Sequence, residues 1–194
     1  MILFVCEGNV CRSPLAAALL KASGPVPGSG LRIDCAGIAA LVGQPADAET
    51  VEIGRRLGVD LSDHVARRLT GDDFRAAGLV LAATRDIRSR IVQLHAPAIR
   101  YTFTIRQAAR VLANATDSFD PDGYGTEGTI AGLARFINQH RGPIGRAQIS
   151  DDDVVDPYLQ SRKVHEQAAQ QLVPAISTLA DALDGRAIEW VPAS

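Results

Sequence analysis

The chain has 194 residues and a mass of 20.6 kDa, a length that suits one domain able to bury roughly 70% of its unfolded surface. Hydrophobic residues make up 46% and charged residues 22%, which excludes the depleted composition of a disordered chain. Twenty Lys and Arg against 22 Asp and Glu leave a formal charge of -2, so there is no overall field to draw in nucleic acid or an anionic membrane, and a monomer or a weak homodimer is equally compatible. No apolar run is long enough to cross a bilayer, and no basic segment precedes the first hydrophobic run. The expected address is therefore cytoplasmic. Three cysteines, two of them with only four residues between them, suggest reactive thiols rather than a disulfide framework.

In chain order, Ile2-Leu3-Phe4-Val5 reads as a short strand buried on both faces of a parallel sheet, ending at Cys6. After Glu7-Gly8-Asn9, the segment Ser13 to Leu20 reads as a helix with Pro14 in its first turn. Further strands are expected at Leu31 to Ala36, Leu79 to Ala83 and Ile99 to Phe103, with helical patterns at 46 to 57, 85 to 95 and 105 to 114. This alternation predicts an α/β fold: a parallel sheet with helices on both faces, joined by right-handed crossovers. Residues 115 to 128 read as a long loop, and Thr129 to His140 as an amphipathic helix on Ile130, Leu133, Ala134 and Ile137. A last helix from about Arg162 to Leu183 is expected to pack on the sheet through Val164, Ala168, Leu172, Ile176 and Leu179, with a kink at Pro174.

The informative stretch is Cys6-Glu7-Gly8-Asn9-Val10-Cys11-Arg12-Ser13, between the first strand and the first helix. The carboxyl edge of a parallel sheet and the N-terminus of a helix together favour an anion. Five residues between Cys6 and Arg12 let the backbone curl around a tetrahedral oxyanion. The sulfur would lie at the base, and the guanidinium could hold two oxygens at once. The same surroundings favour a thiolate at Cys6. Ser13 is placed to hydrogen-bond that sulfur, and Gly8 and Asn9 tolerate the left-handed angles of a tight cup. The competing view is a chance grouping around an ordinary buried cysteine, but the position between strand and helix favours chemistry.

The stretch Val5 to Pro14 resembles the signature of the low-molecular-weight protein tyrosine phosphatase family, a Cys, five residues and Arg-Ser near the N-terminus. The resemblance continues at Asp34-Cys35-Ala36-Gly37, at His64-Val65-Ala66-Arg67-Arg68-Leu69 and at Asp156-Pro157-Tyr158. It implies a flavodoxin-like three-layer sandwich on a four-stranded parallel sheet, a phosphocysteine intermediate, and neither metal nor organic cofactor. The roles it implies are nucleophile for Cys6, phosphate clamp for Arg12, thiolate partner for Ser13, loop support for Asn9 and His64, and general acid for Asp156. Glu7, Gly8, Asn9, Val10, Cys11 and Ser13 would line the substrate site, with Leu41 and Tyr158 as walls. The expected unit is a single phosphatase-like domain over 1–194, with an extended insertion at about 115–150.

An alkoxide or phenoxide leaving group needs a proton, which is the chemical case for Asp156. Asp151-Asp152-Asp153 reads either as a run whose like charge favours its protonated form or, equally, as a solvated acidic loop with no effect on it. The pattern departs from the family at Leu41, where many members have an aromatic wall, and at Leu159, where a second Tyr often follows. Cys35 replaces a common Ser, and Ala83-Thr84 a usual Met-Asp pair. Cys11 reads as a thiol that would attack an oxidised Cys6 and protect it as a disulfide, a role the resemblance supports, or as a packed spectator, whereas Cys35 reads as a core or supporting residue. Gly123 to Gly128 matches a dinucleotide fingerprint by letter without a strand before it, and Asp120-Pro121-Asp122-Gly123 lacks the rest of a calcium loop. His95, His140 and His165 are scattered singly without metal-ligand spacing, and Trp190 reads as a cap on a hydrophobic edge.

The leading expectation is a phosphomonoester hydrolase acting on a phosphotyrosine-containing protein or a small phosphomonoester. One alternative is an arsenate reductase served by a small thiol, since residues 80 to 95 carry no cysteine pair for an internal cascade. The other is a non-catalytic phosphate- or phosphotyrosine-binding module, against which intact Cys6, Arg12 and Asp156 argue.

Overall fold

All five residues of strand β1 (Ile2–Cys6) are buried, because the strand lies at the interior of a sheet covered on both sides. The computed structural model describes residues 1–24, 31–115, 119–120, 128–142 and 152–183. The chain continues through α1 (Arg12–Ala22), β2 (Ile33–Gly37), α2 (Ala48–Arg56), α3 (Gly71–Ala76), β3 (Leu79–Ala82), α4 (Arg85–Leu94), a 3-10 turn (Ala96–Arg100), β4 (Thr102–Thr104), α5 (Ile105–Asn114), α6 (Thr129–His140) and α7 (Arg162–Ala182). The four strands are parallel in the order β2-β1-β3-β4. This is the flavodoxin-like order, in which the crossovers diverge on either side of β1 and leave a crevice at its carboxyl end.

Alternate residues of the central strands face two cores. Ile2, Phe4, Leu79, Leu81 and Phe103 pack with α1, α5, α6 and α7, whereas Leu3, Val5, Val80 and Ala82 pack with Phe74, Ile87, Ile91 and Ala98. The three layers expected from the sequence are thus present. The strand boundaries shift. β4 starts at Thr102 rather than Ile99 because Pro97, which cannot donate to a ladder, turns Ala96–Arg100 into a 3-10 helix. Helix α3 was not expected. It is six residues long and nucleates on a capping box in which Asp73 reaches back to Thr70.

Helix α7 runs along α1 and α5, with α2 against its beginning, and its Ala168, Leu172, Ile176 and Leu179 share one core with Ile2, Phe4 and Phe103 of the sheet. Val164 is only half-buried and His165 takes the inward position, while Pro174 sits on the exposed face of a continuous helix. Within the region expected to be an insertion, α6 occupies the expected 129–140. The glycine-rich residues 123–127, Pro121, Asp122, Asp151 and Trp190 lie outside the described residues.

Candidate active site

Between β1 and α1 the carbonyl oxygens point outward, and each has a donor. Ile38, Ala39 and Leu41 donate their N–H groups to Cys6, Glu7 and Gly8 at 3.0 Å each, Asp47 donates to Val10 at 2.9 Å, and Leu15 to Cys11 at 3.2 Å. The carbonyl of Asn9 accepts from His64 Nε2 at 2.6 Å. With the oxygens held on the outside, the amides turn inward. Those of Gly8, Val10 and Cys11 find no protein acceptor among the described residues, and together with the start of α1 they make a concavity suited to an oxyanion. Gly37 is required beside it, because an added Cβ would lie 2.6 Å from the Glu7 carbonyl oxygen.

Cys6 Sγ lies at the floor, 3.0 Å from Ser13 Oγ and 3.2 Å from the N–H of Asn9. Asn9 Nδ2 donates to Ser13 Oγ at 3.0 Å, so the serine proton is left to point at the sulfur or, at a longer 3.4 Å, at the Ala36 carbonyl. Asn9 adopts a left-handed backbone (φ 59°) and Gly8 does not. The expected strain is therefore carried by Asn9 alone, stabilised through its own side chain. Its Oδ1 accepts from the Arg67 N–H at 2.8 Å, and Arg67 is clamped by Asp34 at 3.1 Å and Asp73 at 3.0 Å. That outer clamp was not anticipated. Only the T-x-x-D signal at Thr70-Gly71-Asp72-Asp73 could have pointed to it.

Arg12 is 4% exposed and bonds Asp156 at 2.7 Å, Asp156 being 51% exposed. Arg12 Nη1 also donates to the Val154 carbonyl at 3.3 Å, whereas its Nε is buried without a protein partner. A donor left over in this way is what a bound oxyanion would satisfy. Residues 152–160 bring Asp156 to the cup: Val154 N–H donates to Ala83 O at 2.9 Å and Val155 N–H to Gln171 Oε1 at 2.9 Å. Asp152 pairs with Arg110 at 2.9 Å and Asp153 with Arg85 at 3.1 Å. These two charges are compensated by arginines, so the expected repulsion on Asp156 loses its source there. Asp152 and Asp153 anchor the loop instead.

Glu7, Gly8, Val10, Cys11, Leu41, Asp156 and Tyr158 surround a cleft of about 110 Å³ over Cys6 and Arg12. Ala39 joins them unanticipated, and Arg90, outside this lining, holds Glu7 at 2.7 Å. Burial, with Asp47, Cys6 and Asp156 adding to it against a hydrogen bond from Thr50, pushes the Cys11 thiol up to about 12. Burial likewise raises Cys35 to about 11, against a hydrogen bond with Asn9, which agrees with its supporting position. His95 and His140 stack on Phe74 and Phe136. His165 is different: it is buried beside Cys11 and Asp47, which corrects its reading as an isolated helix residue. A larger hollow of about 640 Å³ behind α1 contains Cys35 and His64 but not Cys6 or Arg12.

The family description "low molecular weight phosphotyrosine protein phosphatase" matches residues 1–131. The chain belongs to this family. It is 46% identical over 93 residues to the probable low molecular weight protein-tyrosine-phosphatase EpsP of Ralstonia nicotianae, covering 46% of this chain and 61% of EpsP. The match thus spans about three-fifths of that relative's length. A protein-arginine-phosphatase of Geobacillus stearothermophilus is 34% identical over 124 residues, 64% of this chain and 78% of that one. Among solved structures, the family tyrosine phosphatase AmsI of Erwinia amylovora superposes with a TM-score of 0.65 at 27% identity, covering 93% of this chain and 91% of that chain.

Proposed function

We propose that the protein is a phosphomonoester hydrolase, a protein-tyrosine phosphatase working through a phosphocysteine intermediate, with 1–194 as one phosphatase-like domain. Its three free cysteines fit a reducing, cytoplasmic address. The observation that carries the reading is the cup whose carbonyls are all tied outward above Cys6 and under Arg12.

On this reading the Cys6 thiolate attacks phosphorus, and the sulfur–phosphorus bond forms as the bond to the leaving oxygen breaks. The inward amides and Arg12 take up the charge on the equatorial oxygens. Asp156 gives its proton to the leaving oxygen, and then as a carboxylate takes one from the water that cleaves phosphocysteine. The Ser13 hydroxyl stabilises the sulfur as it leaves again. The Arg12–Asp156 link of 2.7 Å must give way as the phosphoryl group enters. That exchange releases the acid toward the leaving group and turns the guanidinium to the phosphate.

The cleft walls Ala39, Leu41 and Tyr158 are largely apolar, and Glu7 is neutralised by Arg90. A neutral ring is therefore better received than a guanidinium. Phosphoarginine is kept as a second reading because a relative named for that activity matches over more of the chain than EpsP does. The test compares the protein with its Cys6→Ser variant on p-nitrophenyl phosphate, phosphotyrosine peptides, phosphoarginine peptides, and arsenate with small thiols. Phosphotyrosine turnover inhibited by vanadate and lost by at least about 10⁴-fold in the variant is expected. Preference for phosphoarginine selects the second reading. Arsenite formation without hydrolysis, or binding without turnover, overturns both.

A further inference from the structure

We propose that Cys11, Asp47 and His165 form a binding site for a divalent cation of the zinc type, which ties the wall of the cup to α2 and α7. The three residues are far apart in sequence and converge only in the fold. Their ligand atoms, one sulfur, one carboxylate oxygen and one imidazole nitrogen, all lie within 4.8 Å of one another. This donor set is the mixture of thiolate, imidazole and carboxylate that zinc accepts. Tetrahedral zinc places such atoms about 3.3 to 3.6 Å apart. His165 Nε2 and Asp47 Oδ1 are already at 3.6 Å, so the sulfur has only to close by about 1 Å to complete three ligands. The fourth position is left for water.

The surroundings hold these groups as metal ligands are usually held. His165 Nδ1 lies 3.2 Å from Thr50 Oγ1. When that nitrogen donates to the hydroxyl, the Nε2 lone pair faces Asp47 and the sulfur. The Asp47 carboxylate accepts from the N–H groups of Glu49 at 3.0 Å and Thr50 at 3.4 Å. Cys11 and His165 are each 3% exposed, and half-buried Asp47 supplies the way in from solvent. Charge also balances, because one thiolate and one carboxylate neutralise a dication. The Cys11 thiol gives up its proton to solvent as the metal binds, which makes binding stronger at higher pH. A plain Thr50–His165 hydrogen bond with Asp47 as a nearby charge is the competing account of the same contacts.

The Cys6→Ser protein separates this site from the phosphatase chemistry, since the reactive sulfur that also attracts zinc is gone. Zn²⁺ is titrated into it against a chromophoric chelator, and Co²⁺ is added to a second sample for its absorption spectrum. One equivalent bound, with a thiolate-to-cobalt charge-transfer band, is expected. In that background His165→Gln and Asp47→Asn should each weaken Zn²⁺ binding by at least about tenfold, and Cys11→Ser should abolish the charge-transfer band. Asp47→Asn keeps a helix-capping oxygen, so an unchanged metal-free Tm shows that its loss of affinity is not loss of fold. Failure of the Cys6→Ser protein to bind stoichiometrically overturns the proposal. So does binding that is unmoved by His165→Gln or Cys11→Ser.

Discussion

The cup and the acid loop meet at Arg12, which pairs with Asp156 and donates to the Val154 carbonyl, yet they are built in opposite ways. The cup is one contiguous stretch, residues 6 to 13, held by backbone bonds and by the buried chain Ser13–Asn9–Arg67. The acid loop, residues 152–160, comes from the far end of the polypeptide and is held by Arg110, Arg85, Arg106 and Gln171. Of those groups Arg85 is exposed and the other three are half-buried, while Asp156 itself is exposed. A rigid concavity suits the group that must meet developing charge without rearrangement, whereas a carboxyl that trades partners during the reaction is better placed on a segment that can shift. On the proposed mechanism, positioning is thus divided from proton transfer.

Asp156→Asn should break the division most visibly. On an alkyl phosphate or a phosphotyrosine peptide, kcat is expected to fall about 10²-fold or more. The loss should be smaller with p-nitrophenyl phosphate, whose leaving group departs without a proton, and steady-state kinetics on the two substrates measures the split. An equal loss on both would mean that Asp156 acts through Arg12 alone.

Asp73→Asn tests the cup side at a distance from the chemistry. Desolvation acts to raise the Asp73 value, but hydrogen bonds from Arg67 and Thr70 outweigh it and hold the carboxyl below its ordinary range. A depressed folded value stabilises the protein fully above the unfolded carboxylate range near about 3.9, and the benefit is lost as the pH falls through the folded value. Denaturant unfolding should therefore show the variant less stable by about 2 kcal/mol at pH 7, with the gap closing toward pH 2. Activity should fall with it, as Arg67 loses its grip on Asn9.

The smallest effect is expected at Asp153→Asn, on the loop side. The Arg85–Asp153 pair is partly exposed, and at 1 M salt the screening length is only about 3 Å. A slight lowering of Tm at low salt should vanish at high salt, and the pH dependence of kcat should be unchanged, because Asp153 already has its own arginine.

The cup was legible because the residues that form it are adjacent in sequence: an apolar strand, a polar turn with Asn9, and a helix starting at Arg12. Its outer clamp was less legible. Asp73 lies on a six-residue helix too short for any periodic pattern, and nothing in the letters ties it to Arg67 and Asn9. The expectations that failed share a cause. Asp152 and Asp153 read as a repelling run because their arginines, Arg110 and Arg85, are remote in the chain. His165 read as an isolated helix residue because its neighbours Cys11 and Asp47 come from two other elements.

By itself the sequence determined the layered α/β architecture, the place of the cup and the identity of its sulfur, guanidinium and hydroxyl, since hydrophobic period and turn chemistry act over a few residues at a time. The tertiary structure alone decided which arginine compensates which carboxylate, that Asn9 rather than Gly8 carries the left-handed turn, and that a cysteine, an aspartate and a histidine share one buried corner. Those outcomes depend on pairings across up to 154 positions, from Cys11 to His165. Such pairings come into being only when the packed helices have brought the groups within a few ångströms of each other.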